Sequence, residues 1–309
     1  MKPPGKKIKK AKEPKRGYRF YKIGFFALTA LICALVYLNY DYWAFKLLIA
    51  DNYIFAETLE ALYKEALGEH NFKGLHRDFD RFVIAAATEK IRAANRDYYT
   101  YLYTPEQYVR SVEGERADAK LARVEALSQD TVYMYLPNIS KGTREFVYGW
   151  REFMLPYKNL VLDLRGNYGG LLADFYRVAD LFVEKNGTLG YERMRAPFLS
   201  HAVKSRGGTY FHFEKIVVLQ DKNTASAAEG LINALRANVG GVALIGERTF
   251  GKGIGQVTIP LTMGYAVKAT VLLVEAPDGS SVHGAGIEPD VHVSAEDDMV
   301  GAALSFLGE

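Results

Sequence analysis

The sequence predicts an α/β fold with a helical amino-terminal part and one transmembrane helix near its start. Three patterns carry that prediction. First, short apolar runs are followed by a loop of small or polar residues and then by helical periodicity. Residues 159–164 lead into Gly166-Asn167-Tyr168-Gly169-Gly170 and a helix over 171–183, and residues 215–219 lead into Asp221-Lys222-Asn223 and a helix over 225–237. Repeated strand–loop–helix units of this kind build an α/β core. Second, Phe45, Leu48 and Ile49, then Leu59, Leu62 and Tyr63, then Phe79, Phe82, Val83, Ala86 and Ile91 recur at helical spacing within residues 44–96. Third, residues 23–38 carry no charge, with Thr29 as a lone polar side chain in the middle.

Charge separates the tail from the body. The net charge of +3 is the sum of ten Lys or Arg against one Glu in residues 1–22, and 29 basic against 35 acidic residues in the remainder. Basicity is therefore a property of the tail, and nothing in the body favours a nucleic-acid partner. The single cysteine, Cys33, excludes an intrachain disulfide and reads as a small hydrophobe within its apolar run.

Residues 1–22 form a basic tail without apolar periodicity, and residues 23–40 read as a signal-anchor. Sixteen apolar residues are slightly short for about 30 Å of hydrocarbon, but Asn39, Tyr40 and a snorkelling Lys22 bring the segment into range. Tyr37, Tyr40, Tyr42 and Trp43 suit a membrane–water interface. A cleaved leader shares this layout, but no small-x-small site follows Leu38. The positive-inside rule keeps the tail in the cytoplasm and the body outside, giving a single-pass protein of the cell inner (cytoplasmic) membrane.

The body is then read in order. Residues 44–110 are a helical region, interrupted near Arg96–Asp97 and resumed by a short helix with Pro105 at its first position. Residues 113–130 read as a charged surface connection, 131–136 as a strand, and 144–155 as a helix. Residues 242–245 read as a strand, and 256–260 and 265–274 as a strand pair. Residues 196–210 mix Pro, Gly, Ser and His without a period and read as a mobile loop beside the cleft.

One stretch carries the chemistry. Ser226 lies in Thr224-Ala225-Ser226-Ala227-Ala228-Glu229, and 26 positions later Lys252 lies in Phe250-Gly251-Lys252-Gly253-Ile254-Gly255-Gln256. A serine hydroxyl needs a base to take its proton, and a lysine is a base only when burial holds it neutral. Ser226 opens a helix after a buried strand, where unpaired backbone N–H groups can hold an oxyanion. The Ala227 N–H is one donor, and the Gly169-Gly170 turn offers a second. By residues alone the bland readings stay open: an ordinary helix start for Ser226 and a surface hairpin for Gly-Lys-Gly. Glu229 fits a capping box. Asp163 and Arg165 read as a structural ion pair. His70, His76, His201, His212, His283 and His292 lack metal-ligand spacing, so neither metal nor cofactor is expected. His201 or His212 as the base of a Ser–His–Asp triad remains an alternative.

From about Tyr99 to His292 the chain resembles the carboxyl-terminal processing peptidases, or tail-specific proteases. The resemblance rests on four blocks in order: residues 162–170 (LDLRGNYGG), 224–229 (TASAAE), 246–256 (GERTFGKGIGQ) and 286–290 (GIEPD), with Tyr168 where Pro is commoner. It implies a crotonase-like (ClpP/crotonase) catalytic core over residues 131–295, with Ser226 as nucleophile, Lys252 as general base and Gln256 positioning the lysine. Ala227 and Gly169 or Gly170 would form the oxyanion hole. The serine-to-lysine interval is one residue longer than the family's, an excess the turn at Asn238-Val239-Gly240-Gly241 can absorb. Family members usually carry a PDZ domain ahead of the core. Only residues 111–130 are available for one here, so none is expected, and preference for carboxyl-terminal tails loses its usual basis.

The expected function is thus a membrane-anchored Ser–Lys endopeptidase acting on exported or membrane-associated polypeptides. The alternatives are a catalytically silent peptide- or ligand-binding protein on the same core, and an accessory protein assembling through the aromatic stretch at Tyr98 to Tyr108.

Overall fold

The computed structural model describes residues 16–55 and 81–308. Most of the basic tail, the helical positions Leu59, Leu62, Tyr63 and Phe79, and His70 and His76 lie outside the described residues. Helix α1 (Arg16–Leu38) contains the apolar run. Its segment Phe20–Leu38 is apolar enough to cross a membrane by length and composition, with a mean hydropathy of 1.9 and none of it buried against the body. At 1.5 Å per residue its 19 residues measure about 28 Å, close to the hydrocarbon thickness of a bilayer. Thr29 donates its hydroxyl to the Phe25 carbonyl one turn back (2.8 Å), so that group needs no water.

The chain continues through α2 (Tyr40–Phe45), a π-helical turn (Lys46–Asp51), α3 (Arg81–Asn95), β1 (Tyr101–Tyr103) and α4 (Pro105–Asp118). Next come β2 (Arg123–Ala126), β3 (Thr131–Tyr135), α5 (Thr143–Gly149), α6 (Arg151–Met154), β4 (Asn159–Asp163), α7 (Leu172–Ala179), β5 (Thr188–Met194) and β6 (His201–Lys204). The remainder is β7 (Lys215–Gln220), α8 (Ala227–Asn238), β8 (Val242–Gly246), β9 (Ile254–Pro260), β10 (Ala266–Glu275), β11 (Val291–His292) and α9 (Met299–Leu307).

Two sheets result. The larger runs β11-β8-β7-β4-β3-β2, with every neighbouring pair parallel except β2 and β3. Its central strands are apolar on both faces, as expected when helices cover both sides. Leu160, Leu162, Val218 and Leu244 face Phe175, Leu231 and Leu235 from α7 and α8, while Val161, Val217, Leu219 and Ile245 face Met299 and Ala303 of α9. The smaller sheet is antiparallel, β1-β10-β5-β6, with β9 also paired to β10. Phe45, Leu48, Ile49 and Tyr53, with Ile84, Ala87 and Ile91 of α3, pack under it on Leu261, Val267 and Ala269.

The segment after α1 is fastened to the β9–β10 turn. Asp41 accepts hydrogen bonds from the Thr262 N–H (2.8 Å) and hydroxyl (2.6 Å), and the Tyr40 hydroxyl donates to the Pro260 carbonyl (3.0 Å).

Several expectations need correction. The segment 113–130 is not a simple connection, because α4 runs on to Asp118 and β2 follows. As an edge strand β2 buries only Val124 between charged residues, so no alternation marks it. The loop expected over 196–210 holds β6, whose half-buried Ala202 and Val203 lie between exposed His201 and Lys204. The helix expected over 144–155 divides at Trp150, and the one expected over 171–183 stops at Ala179. As expected, α4 starts with Pro105, and Thr104 and Gln107 cap it reciprocally (Thr104 N–H to Gln107, 3.0 Å; Gln107 N–H to Thr104, 3.3 Å).

Candidate active site

Three loops leave the carboxyl ends of β4, β7 and β8 side by side, the edge of a parallel sheet where ligands bind in α/β proteins. Buried polar side chains lace them together. Asp221 accepts the N–H groups of Gly166 (3.0 Å), Asn223 (2.9 Å) and Thr224 (2.9 Å). The Thr224 hydroxyl donates to the Leu164 carbonyl (2.9 Å), and the Asn167 amide donates to that of Leu136 (2.8 Å). The Asn167 carbonyl accepts the Ala225 N–H, and the Thr224 carbonyl accepts the Phe250 N–H (both 2.9 Å).

Ser226 stands at the turn from the β7 loop into α8, with φ 58° and ψ −120°. A non-glycine residue at positive φ is strained and persists only where its surroundings dictate it. Glu229, fully buried on the first turn of α8, supplies part of that constraint. Its Oε2 accepts the N–H of Ser226 (2.7 Å) and of Lys252 (2.8 Å). Its Oε1 accepts the Gly251 N–H (2.8 Å) and the Thr249 hydroxyl (2.5 Å). Thr249 in turn accepts the Ile287 N–H (2.7 Å), which ties the segment 286–290 to the same knot.

Lys252 and Ser226 line one cleft of about 390 Å³, together with Gly169, Gly170, Gln256 and Lys268. Both also line a narrow recess with Leu172, Leu189, Ile254 and Val274. Burial lowers the Lys252 ammonium from its ordinary 10.5 to about 8, helped by the like charge of Lys268 and opposed by Glu229 and Asp97. The Lys252 nitrogen lies 4.8 Å from the centroid of the Tyr99 ring. Asp97 fixes Tyr99 through its N–H (3.0 Å) and is itself held by the hydroxyls of Tyr53 (3.0 Å), Thr100 (2.6 Å) and Thr270 (3.2 Å).

The backbone donors expected at the site differ in availability. The Gly169 N–H is committed to Asn167 Oδ1 (2.8 Å). Gly170 is bridged to Ile139 through its neighbours, the Ile139 N–H reaching the Gly169 carbonyl and the Leu171 N–H reaching the Ile139 carbonyl (both 2.9 Å), which leaves the Gly170 N–H unused. The Ala227 N–H, first in α8, also has no hydrogen-bond acceptor among the described residues. Gln256 is on β9 opposite Thr270 and lines the cleft, but no hydrogen bond joins it to Lys252 among the described residues, and its Nε2 is buried without a partner. His201 and His212 lie outside the cleft lining.

A family model described as Peptidase family S41 matches residues 130–293, more than half of the chain, and spans all three loops. The chain belongs to peptidase family S41. The chain is 32% identical over 142 residues to a probable CtpA-like serine protease of Staphylococcus epidermidis, covering 44% of this chain and 28% of that protein. It is 34% identical over 137 residues to a chloroplastic C-terminal processing peptidase of Tetradesmus obliquus, covering 44% of this chain and 29% of that protein. The matched part thus spans less than a third of these relatives' length.

Among solved structures, a lipoprotein from Streptococcus agalactiae superposes with a TM-score of 0.65 at 17% identity, covering 84% of this chain and 92% of that one. The photosystem II D1 C-terminal processing protease gives 0.59 at 18%, covering 82% and 92%. The likeness to both is one of fold.

Some members of this S41 site are not singled out by sequence. Asn167 and Lys268 have ordinary local settings. Glu229 reads only as a helix cap, because its partners at 249–252 are distant in the chain. Tyr99 sits in an aromatic run that fits an interface or a core equally well, and its neighbour Asp97 marks the end of a helical pattern.

Proposed function

We propose that this S41 protein is a membrane-anchored serine endopeptidase whose Ser226–Lys252 dyad cleaves exported or membrane-associated polypeptides through an acyl-enzyme. The supporting observation is the pairing of a strained serine with an amine brought down to about 8 in one cleft. The core is assigned to the crotonase-like architecture on the same reading.

Neutral Lys252 takes the proton of the Ser226 hydroxyl as the oxygen attacks the scissile carbonyl. The tetrahedral oxyanion is assigned to the N–H groups of Ala227 and Gly170. The lysine ammonium then returns its proton to the departing amine. A water, deprotonated by the same lysine, releases the acyl group. Gln256 lines this cleft with a buried, unpartnered amide nitrogen, and on this reading it orients lysine or substrate. Tyr99 shields the amine from water. The apolar helix Phe20–Leu38 holds the body at the membrane, and the basic tail before it keeps the body on the extracytoplasmic side.

The test offers denatured casein and a panel of tailed peptides to the full-length protein in detergent. Cleavage is expected, and Ser226→Ala and Lys252→Ala are each expected to abolish it while thermal unfolding stays cooperative. Equal cleavage by parent and variants rejects the dyad. Tight peptide binding without cleavage by any form identifies a silent binder instead.

A further inference from the structure

The cleft shares Asn138 and Ser140 with a second cavity of about 230 Å³. Leu136, Pro137 and Phe146 give this cavity apolar walls, and Lys120 and Lys141 stand exposed at its edge. Neither lysine makes an ion pair among the described residues. Among the described residues the two cavities together are lined by four lysines, at 120, 141, 252 and 268, and by no Asp or Glu. Chance placement on this body would favour the opposite sign, since residues 23–309 hold 35 acidic against 29 basic side chains. A concave surface lined with one sign of charge concentrates ligands of the other.

We propose that this second cavity is a carboxylate-binding subsite, in which Lys120 and Lys141 select polypeptides bearing a carboxylate on one side of the bond to be cut. The proposal rests on the assignment of Ser226 and Lys252 as the reacting centre. The bridge between Ile139 and Gly170 ties the segment that carries Asn138, Ser140 and Lys141 to the turn assigned to the oxyanion. Lys141 follows Ser140, which lines both cavities, in the turn closed by the Thr143 N–H on the Ser140 carbonyl (3.0 Å), so it stands beside the wall they share. Lysine ammoniums, mobile and unpaired, suit either a terminal α-carboxylate or an Asp or Glu side chain. The chain between β1 and β2, where Lys120 sits, is a single helix and a short turn.

Binding is measured on the full-length Ser226→Ala protein in detergent, so that it does not depend on turnover. The probes are fluorescein-labelled Ala/Leu peptides in three forms: free carboxyl terminus, amidated terminus, and amidated terminus with a Glu near that end. The free acid, the Glu peptide or both are expected to bind about tenfold more tightly than the neutral amide, the effect of one charge-assisted contact. Lys120→Gln with Lys141→Gln is expected to cut that ratio below about twofold. A preference for the free acid alone assigns the subsite to chain ends, and an equal preference for the Glu peptide assigns it to acidic side chains. Equal binding of all three peptides by the parent overturns the subsite, as does a preference that survives the double substitution. Failure of the dyad shows separately, as the absence of Ser226-dependent cleavage.

Discussion

Ser226 and Lys252 hang from a single oxygen atom. Glu229 Oε2 accepts the N–H of the serine at 2.7 Å and of the lysine at 2.8 Å, so the two loops carrying them share one reference point. Because Glu229 is fully buried and its other oxygen is also occupied, neither loop can shift without breaking bonds to a desolvated carboxylate. Glu229→Gln turns one acceptor into a donor facing N–H groups. It is expected to cost about 3 kcal/mol of stability and to lower kcat more than KM. Chemical denaturation and steady-state kinetics check both. Unchanged kcat would show that the clamp does not set the geometry.

Activity should require the neutral amine of Lys252. The base limb of the kcat/KM profile is expected to rise with pH and level off near 8, as the ammonium loses its proton. Lys268→Gln removes the like charge that helps lower it, so the limb should move to higher pH. Tyr99→Ala should move it the same way by admitting water, whereas Tyr99→Phe keeps the ring and should leave it in place. A limb unmoved by Lys268→Gln would argue that another group titrates.

The same shift has a stability signature. The folded-state value of about 8 lies below the ordinary 10.5, so between these pH values the unfolded chain binds more protons and stability rises with pH. The penalty is present in full below about 8 and gone above 10.5, at most roughly 3 kcal/mol. Lys252→Met should remove it, giving a protein that is inactive yet more stable at neutral pH. Parallel denaturation curves for parent and variant across this window would contradict the burial of the amine.

Glycines separate two roles in the Gly169-Gly170 turn. A Cβ on Gly169 would fall 2.6 Å from the Ala225 carbonyl oxygen and 2.8 Å from the Ser226 Cβ, at φ 94°. A Cβ on Gly170 would fall 1.8 Å from the Ile139 carbonyl oxygen. Gly170→Ala should displace the donor assigned to the oxyanion and lower kcat about 10²- to 10³-fold. Gly169→Ala should push on the serine itself, and fluorophosphonate labelling of Ser226 would report its loss. Full labelling with lost turnover is the pattern expected for Gly170→Ala alone.

Much of the core was legible because parallel strands buried on both faces read as unbroken apolar runs, as at residues 159–164 and 215–219. Ser226, Lys252 and the Gly169-Gly170 turn line one cleft. What the chain hid was either marginal in burial or distant in sequence. β2 buries a single side chain, and β6 is half-exposed throughout. Tyr99 meets Lys252 only because Asp97 pins its backbone beside Thr270, across more than 170 residues. A local window sees none of this.

The bonds from Tyr40 and Asp41 to the β9–β10 turn bear on where the protein may be cut. A truncation that starts at Ala44 discards both residues, strands the Thr262 N–H, and loosens the hairpin whose other end presents Gln256. Severing the chain ahead of Tyr40 keeps those fastenings and discards the basic tail and the greasy rod, so a soluble version begun there should retain the working shape of the cleft.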